Sequence, residues 1–217
     1  MRPIRYLLFL VFLSFNSCSP TRIISTWKPK DTGAKKFDKI LVLGLMEEKN
    51  GDLREKMEQH LLTSLQSYGY NVICACEEYG PKSFENMTEK QAIDGLTNKG
   101  IDAVLTVVLL NKTKDRYYVP GRASYSPYTM YHGQFWNYYT TMHDRIYSTG
   151  YYREDTKYFW ETNLYDLSTK ELLYSVQTGS FNPESTESLG LEYGQLIAKN
   201  LVKNKILLVP EKNQKAF

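Results

Sequence analysis

The sequence has no concentrated basic face, no glycine-rich loop and no cluster of metal ligands. Its 27 Lys and Arg against 24 Asp and Glu leave a net charge of only +3. Nucleic acid, which demands a clustered basic surface, is therefore not expected as a partner. Histidine is limited to three scattered residues, His60, His132 and His143. A single glycine, Gly44, follows the first strand-like run (Gly44-Leu45-Met46), where dinucleotide and P-loop motifs need two or three. Neither a cofactor nor a metal is expected. The apolar run Tyr6 to Phe15 has ten residues, where a membrane-spanning helix needs about 20.

Cysteine is nearly absent as well, with three residues, Cys18, Cys74 and Cys76. Cys74-Ala75-Cys76 does not have the Cys-x-x-Cys redox spacing. In an extended strand it would also put its two Cα atoms near the upper limit for bridging. Two free, half-buried thiols are the simpler expectation; a disulfide or a metal pair is the alternative.

What is present is an ordinary globular composition, 42% hydrophobic and 24% charged, with a mean hydropathy of −0.46. Its unusual component is 18 Tyr, which with 9 Phe and 3 Trp makes the chain 14% aromatic. Without a leader, roughly 200 residues remain, enough for one domain with a true core.

Arg2 and Arg5 precede the apolar run, as in the n- and h-regions of a signal peptide. Phe15-Asn16-Ser17-Cys18 follows, and it resembles the lipobox of bacterial lipoproteins: an apolar residue at −3, a small one at −1, then the cysteine that takes lipid. Asn16 departs from the commonest pattern, in which −2 is small. The expectation is a signal peptide over 1–17, lipidation of Cys18 and a tether over 18–36 that joins the domain around Ser25 to Trp27. Two or three acyl chains make a stable anchor. Ser19, in place of Asp, implies by the same resemblance an outer-membrane address, facing the periplasm.

A single α/β domain is expected over 37–210. Lys39 to Gly44 reads as a buried parallel strand. Leu53 to Tyr68 carries a helical apolar stripe that Gly69 ends. Tyr70 to Ala75 is the second strand. Thr88-Glu89-Lys90-Gln91 is a capping box opening a helix that Gly100 ends. Ala103 to Leu110, the most apolar strand, belongs at the centre of the sheet. This β-α-β-α-β order specifies a parallel core in a two- or three-layer sandwich. Lys157 to Asp166 and Glu171 to Phe181, joined by Leu167-Ser168-Thr169-Lys170, form an antiparallel hairpin that extends it. Ser185 or Ser188 caps a C-terminal helix. Ile206 to Val209 is expected as a short edge strand, with a frayed tail over 211–217.

Between the third and fourth strands lies an insert, 115–155, too long for an ordinary connection. Aromatic residues spaced by Ser, Gly and Asn are the vocabulary of adaptable binding surfaces. The expected contact residues are Tyr117, Tyr118, Arg122, Tyr128, Tyr131, Trp136 and Tyr139. Arg116, Arg122, Arg145 and Arg153 interleave with the tyrosines, as cation–π contact would require.

Ser25-Thr26-Trp27, Phe37 to Gly44, Gly100 to Leu105, Tyr118-Val119-Pro120-Gly121, Trp160 to Asp166, Ser175 to Thr178 and Asn182-Pro183 occur in an order that resembles a family of uncharacterised bacterial envelope lipoproteins. The layout is also topologically similar to the small α/β domain of the curli-secretion channel lipoprotein. Neither resemblance implies catalytic residues, and fold does not fix function.

Glu161, sharing a strand face with Asn163 and Tyr165, is the most enzyme-like carboxylate, but the sequence shows no second carboxylate or nucleophile–base pair to work with it. The leading expectation is a non-enzymatic envelope module that docks a protein or glycan, with oligomerisation as a further option. A hydrolase or transferase acting on envelope glycans or lipids is the alternative.

Overall fold

The structure, a computed structural model, describes residues 20–30, 33–79, 83–119 and 151–208. Six strands, β1 (Thr21–Trp27), β2 (Ile40–Leu45), β3 (Val72–Cys74), β4 (Ala103–Val119), β5 (Tyr151–Asp166) and β6 (Leu172–Phe181), form one sheet in the order β1-β6-β5-β4-β2-β3. The helices are α1 (Gly51–Ser67), the single turn α2 (Ala75–Glu78), α3 (Glu89–Thr97) and α4 (Thr186–Lys203). The chain divides into two compact units, Thr113–Lys157 and the segments that flank it.

Local chemistry sets most boundaries. Thr88 Oγ1 accepts from the Gln91 amide at 3.3 Å while Gln91 Oε1 accepts from the Thr88 amide at 2.9 Å, so the expected capping box starts α3. Ser185 and Ser188 cap α4 in the same reciprocal way. Gly69 (φ 88°) and Gly100 (φ 75°) take the left-handed conformation just past their helices, where a side chain would be strained. At the β5–β6 turn Asp166 Oδ1 accepts from the Ser168 and Thr169 amides, at 2.8 and 3.2 Å.

β2 pairs in parallel with both β3 and β4, from Ile40↔Val72 and Ile40↔Ala103 onward. This is the expected parallel core, and β4 lies inside the sheet as expected. The antiparallel half differs in extent. β1, within the stretch expected as a tether, pairs with β6 from Thr21↔Ser180 to Trp27↔Ser175. The chain from Ile206 to Leu208 makes one parallel bridge, Leu207↔Lys35, in place of an edge strand. β3 ends at Cys74, so Cys76 lies in α2 and not in a strand.

Alternate residues of the parallel strands enter two cores, as a period of two requires. Ile40, Val42, Ala103 and Leu105 join Trp160, Tyr174 and Val176 beneath Leu61 and Leu65 of α1 and Tyr193, Ile197 and Leu201 of α4. Leu41, Leu43 and Val104 face the other way, onto Ala75, Leu96 and Ile101. The parallel half thus has three layers. Burying one such large side chain contributes about 1.5–3 kcal/mol. Trp160 stacks on Tyr158 at 5.8 Å and meets Tyr193 at 5.7 Å. The Tyr193 hydroxyl is hydrogen-bonded to Thr162, and the Tyr174 hydroxyl donates to Asn200 Oδ1 at 2.7 Å.

α1 and α4 touch backbone to backbone. A Cβ on Gly194 would stand 2.6 Å from the His60 carbonyl oxygen. Beside this crossing, Glu187 takes His60 Nε2 at 2.7 Å and Lys56 Nζ at 2.9 Å.

Candidate functional site

In the unit Thr113–Lys157 the described residues are the distal halves of β4 and β5. Lys114 Nζ reaches Glu154 Oε1 at 2.6 Å, Lys157 Nζ reaches Asp115 Oδ2 at 2.6 Å, and Tyr118 meets Tyr152 edge-on at 5.4 Å. β4 and β5 are neighbours in the sheet, and these contacts join their side chains across the pair. Arg116 lies over the Tyr152 ring at 4.4 Å. Tyr117, Tyr118, Tyr151 and Tyr152 are 42, 53, 61 and 62% exposed. Tyr118 and Tyr152 form an exposed cross-strand aromatic pair, and Tyr117 and Tyr151, their chain neighbours, put exposed rings on the other face of the two-stranded ribbon. Covering half of one ring would remove about 100 Å² from water, or about 2.5 kcal/mol.

Glu161 lies on the face of β5 opposite Trp160 and Thr162. Asn163 Nδ2 donates to its Oε1 at 3.0 Å and Gln177 Nε2 to its Oε2 at 3.1 Å. These two donors, that of Gln177 foremost, hold its carboxyl below the usual range. A general acid near neutral pH needs the opposite shift. Two surface clefts, of about 500 Å³ beside Glu47, Asn50 and Lys112 and about 700 Å³ beside Trp27, Lys35 and Glu171, do not include Glu161.

The third cluster gathers at the C-terminal ends of β2 and β3, the end of a parallel sheet where ligands usually bind. Cys74 and Cys76 are joined by a disulfide, with Cα atoms 5.2 Å apart. This corrects the expectation of free thiols. The physical reason is the strand's early end: Ala75 begins a helical turn, which brings the second sulfur back toward the first. Glu58 of α1 is fully enclosed, and its Oε1 accepts the Gly44 amide at 2.6 Å. Its Oε2 lies 3.4 Å from Cys74 Sγ. Burial pushes the Glu58 carboxyl up, against the opposing effects of the Gly44 amide, Arg54 and the Cys76 amide. Ligand atoms of Glu58, Cys74 and Cys76 all lie within 4.8 Å of one another. With the sulfurs bonded together, neither is a thiolate donor for a metal.

No protein-family model matches the chain, and no curated protein matches it by sequence. Among solved structures it is similar to the PelC dodecamer from Paraburkholderia phytofirmans, at 13% identity and a TM-score of 0.43, covering 85% of this chain and 99% of that one. It is similar to lipoprotein GNA1162 from Neisseria meningitidis at 15% identity and 0.40, covering 76% and 98%. A putative neuraminyllactose-binding hemagglutinin homolog from Helicobacter pylori follows at 8% identity and 0.33, covering 86% and 91%.

Of the residues expected from sequence to make contacts, Tyr117 and Tyr118 fall on the ribbon. Arg122, Tyr128, Tyr131, Trp136 and Tyr139 lie outside the described residues, as does Cys18. Among the described residues, no helix is long and apolar enough to cross a membrane. Glu58 was not an expected site residue. Its signal is a lone carboxylate on the apolar stripe of α1, between Met57 and Leu61, which are both fully buried.

Proposed function

We propose that this protein is a lipoprotein of the bacterial cell envelope, held by lipid on Cys18 at the outer membrane and facing the periplasm. Its α/β domain acts as a binding or assembly module, and the tyrosine-rich segment between β4 and β5 is the contact surface for an envelope protein or glycan. The observation that carries this reading is the ribbon: four tyrosines exposed by 42–62%, with Arg116 laid over Tyr152. Tyr and Arg are the residues most enriched where binding energy concentrates. Each such ring that a partner covers offsets part of the cost of association. The doubly hydrogen-bonded Glu161, its carboxyl held low, argues against a general-acid role for that residue.

The test is cross-linking of the intact protein in its own envelope, beside a variant that lacks residues 123–150. The expected result is a discrete cross-linked species in the wild type that the deletion abolishes. Identical cross-linking by both would remove the insert from the interface. Turnover of an envelope glycan or lipid by the purified protein, lost in Glu161→Gln, would favour the enzyme reading.

A further inference from the structure

We propose that the Cys74–Cys76 disulfide is a thiol–disulfide exchange site that accepts two electrons from a dithiol, with Glu58 as the proton donor to the leaving sulfur. The site uses residues 44–76 and stands independently of the aromatic ribbon.

The geometry assigns a different part to each sulfur. Cys74 is 2% exposed and sits against the Glu58 carboxyl, whereas Cys76 is only half-buried. An incoming thiolate therefore reaches Cys76. As its sulfur bonds to Cys76 Sγ, the Cys74–Cys76 bond breaks and Cys74 departs with the electron pair. The Cys76 amide, 3.0 Å from Cys74 Sγ, donates to the developing thiolate. Glu58 Oε2, 3.4 Å from the same sulfur, supplies the proton. A sulfur in a disulfide carries no hydrogen, so a hydrogen bond across that contact takes its proton from the carboxyl. The reductant's second thiolate then attacks its own mixed-disulfide sulfur and releases Cys76. Two electrons and two protons pass from the dithiol to the cysteine pair, and solvent restores the Glu58 proton.

Gly44 fixes the position of the carboxyl and burial favours its protonated form, while the Gly44 amide and Arg54 pull the other way. Gly44 gives its amide to Oε1, and a Cβ there would stand 2.8 Å from that oxygen. Burial keeps the acid protonated to higher pH than an ordinary glutamate. Arg54 and Glu55 on α1, with the cysteine pair opposite, are the ionisable groups that act on it. A leaving thiolate departs faster when it is stabilised or protonated.

The test uses the full-length protein, alkylated with iodoacetamide and read on the tryptic peptide from Met57 to Lys82, which holds both cysteines and excludes Cys18. Without reductant the peptide should carry no label; after dithiothreitol it should carry two. Two labels without reductant would overturn the proposal. Dithiothreitol reduction is next followed against pH and divided by the thiolate fraction of the reagent. The corrected rate should fall as pH rises through the Glu58 titration, and a flat profile would overturn the proton-donor role. In Glu58→Gln, if folded, the corrected rate should drop about ten-fold or more and lose its pH dependence; an unchanged rate and profile would overturn the role as well. Should that variant not fold, the wild-type profile alone decides.

Discussion

Gly44 and Glu58 are in such close contact that the glycine amide donates to the carboxylate oxygen at 2.6 Å and leaves no room for a side chain. A Cβ at Gly44 would also come 2.6 Å from Arg54 Cγ. Gly44→Ala should therefore displace α1 or Glu58 and lower stability by about 1–3 kcal/mol. Urea denaturation checks this, with the midpoint falling and the slope unchanged. An unaltered midpoint would mean that the contact gives way at no cost.

The crossing of α1 and α4 makes a parallel test with its own control. Gly194→Ala drives a methyl group into the His60 carbonyl, and a loss of about 1–3 kcal/mol is expected. Gly95, in α3, has nothing within 4 Å of its Cβ position. Gly95→Ala should instead stabilise by about 0.5–1 kcal/mol, the ordinary helix preference. Equal effects of the two changes in thermal unfolding would contradict the packing described.

Asp166 controls an acid-side dependence. Burial alone would raise its carboxyl, but Lys35 Nζ at 2.7 Å, the Ser168 hydroxyl and the amides of Ser168 and Thr169 outweigh it, bringing the group from 3.8 down to about 2. Because the folded value lies below the unfolded one, its contribution is fully present above about pH 4 and is lost as pH falls toward 2. The contribution is at most about 2 kcal/mol, and screening at the partly exposed Lys35 reduces it. Asp166→Asn should lower stability at pH 7 and flatten the stability curve between pH 4 and 2. Parallel curves for the two proteins would assign the acid sensitivity to other groups.

Lipidation is tested by growth on labelled palmitate. The wild-type chain should take up label and stay with the membrane fraction. Cys18→Ala should do neither. Label on the Cys18→Ala chain would place the acyl group elsewhere.

How much of this was legible in the sequence depended on how local the cause was. The Thr88 and Ser185 caps and the stops at Gly69 and Gly100 act within four residues, and each is where the sequence pattern predicts it. The apolar runs of β2 and the first half of β4 are buried on both faces and read as such. The outer part of β4, with its exposed lysines and tyrosines, carries no apolar alternation, so the strand runs on to Val119 without a sequence signal. β1 takes its structure from β6, more than 150 residues away in pairs such as Thr21 and Ser180, whose hydroxyls meet at 3.0 Å. Glu58 and the cysteine pair are joined only when α1 docks beside β3. Their spacing of 16 residues between Glu58 and Cys74 matches no helix or strand period.

The most direct measurement places a photo-crosslinking amino acid at Tyr118 or Tyr151, with Leu191 of α4, itself 45% exposed, as the control position. Illumination of intact cells should give a discrete cross-linked species from Tyr118 and Tyr151 and none from Leu191. That species should disappear when the other three ribbon tyrosines are changed to serine. Equal capture from all three positions, or capture that survives the serine changes, would contradict the ribbon as the docking surface.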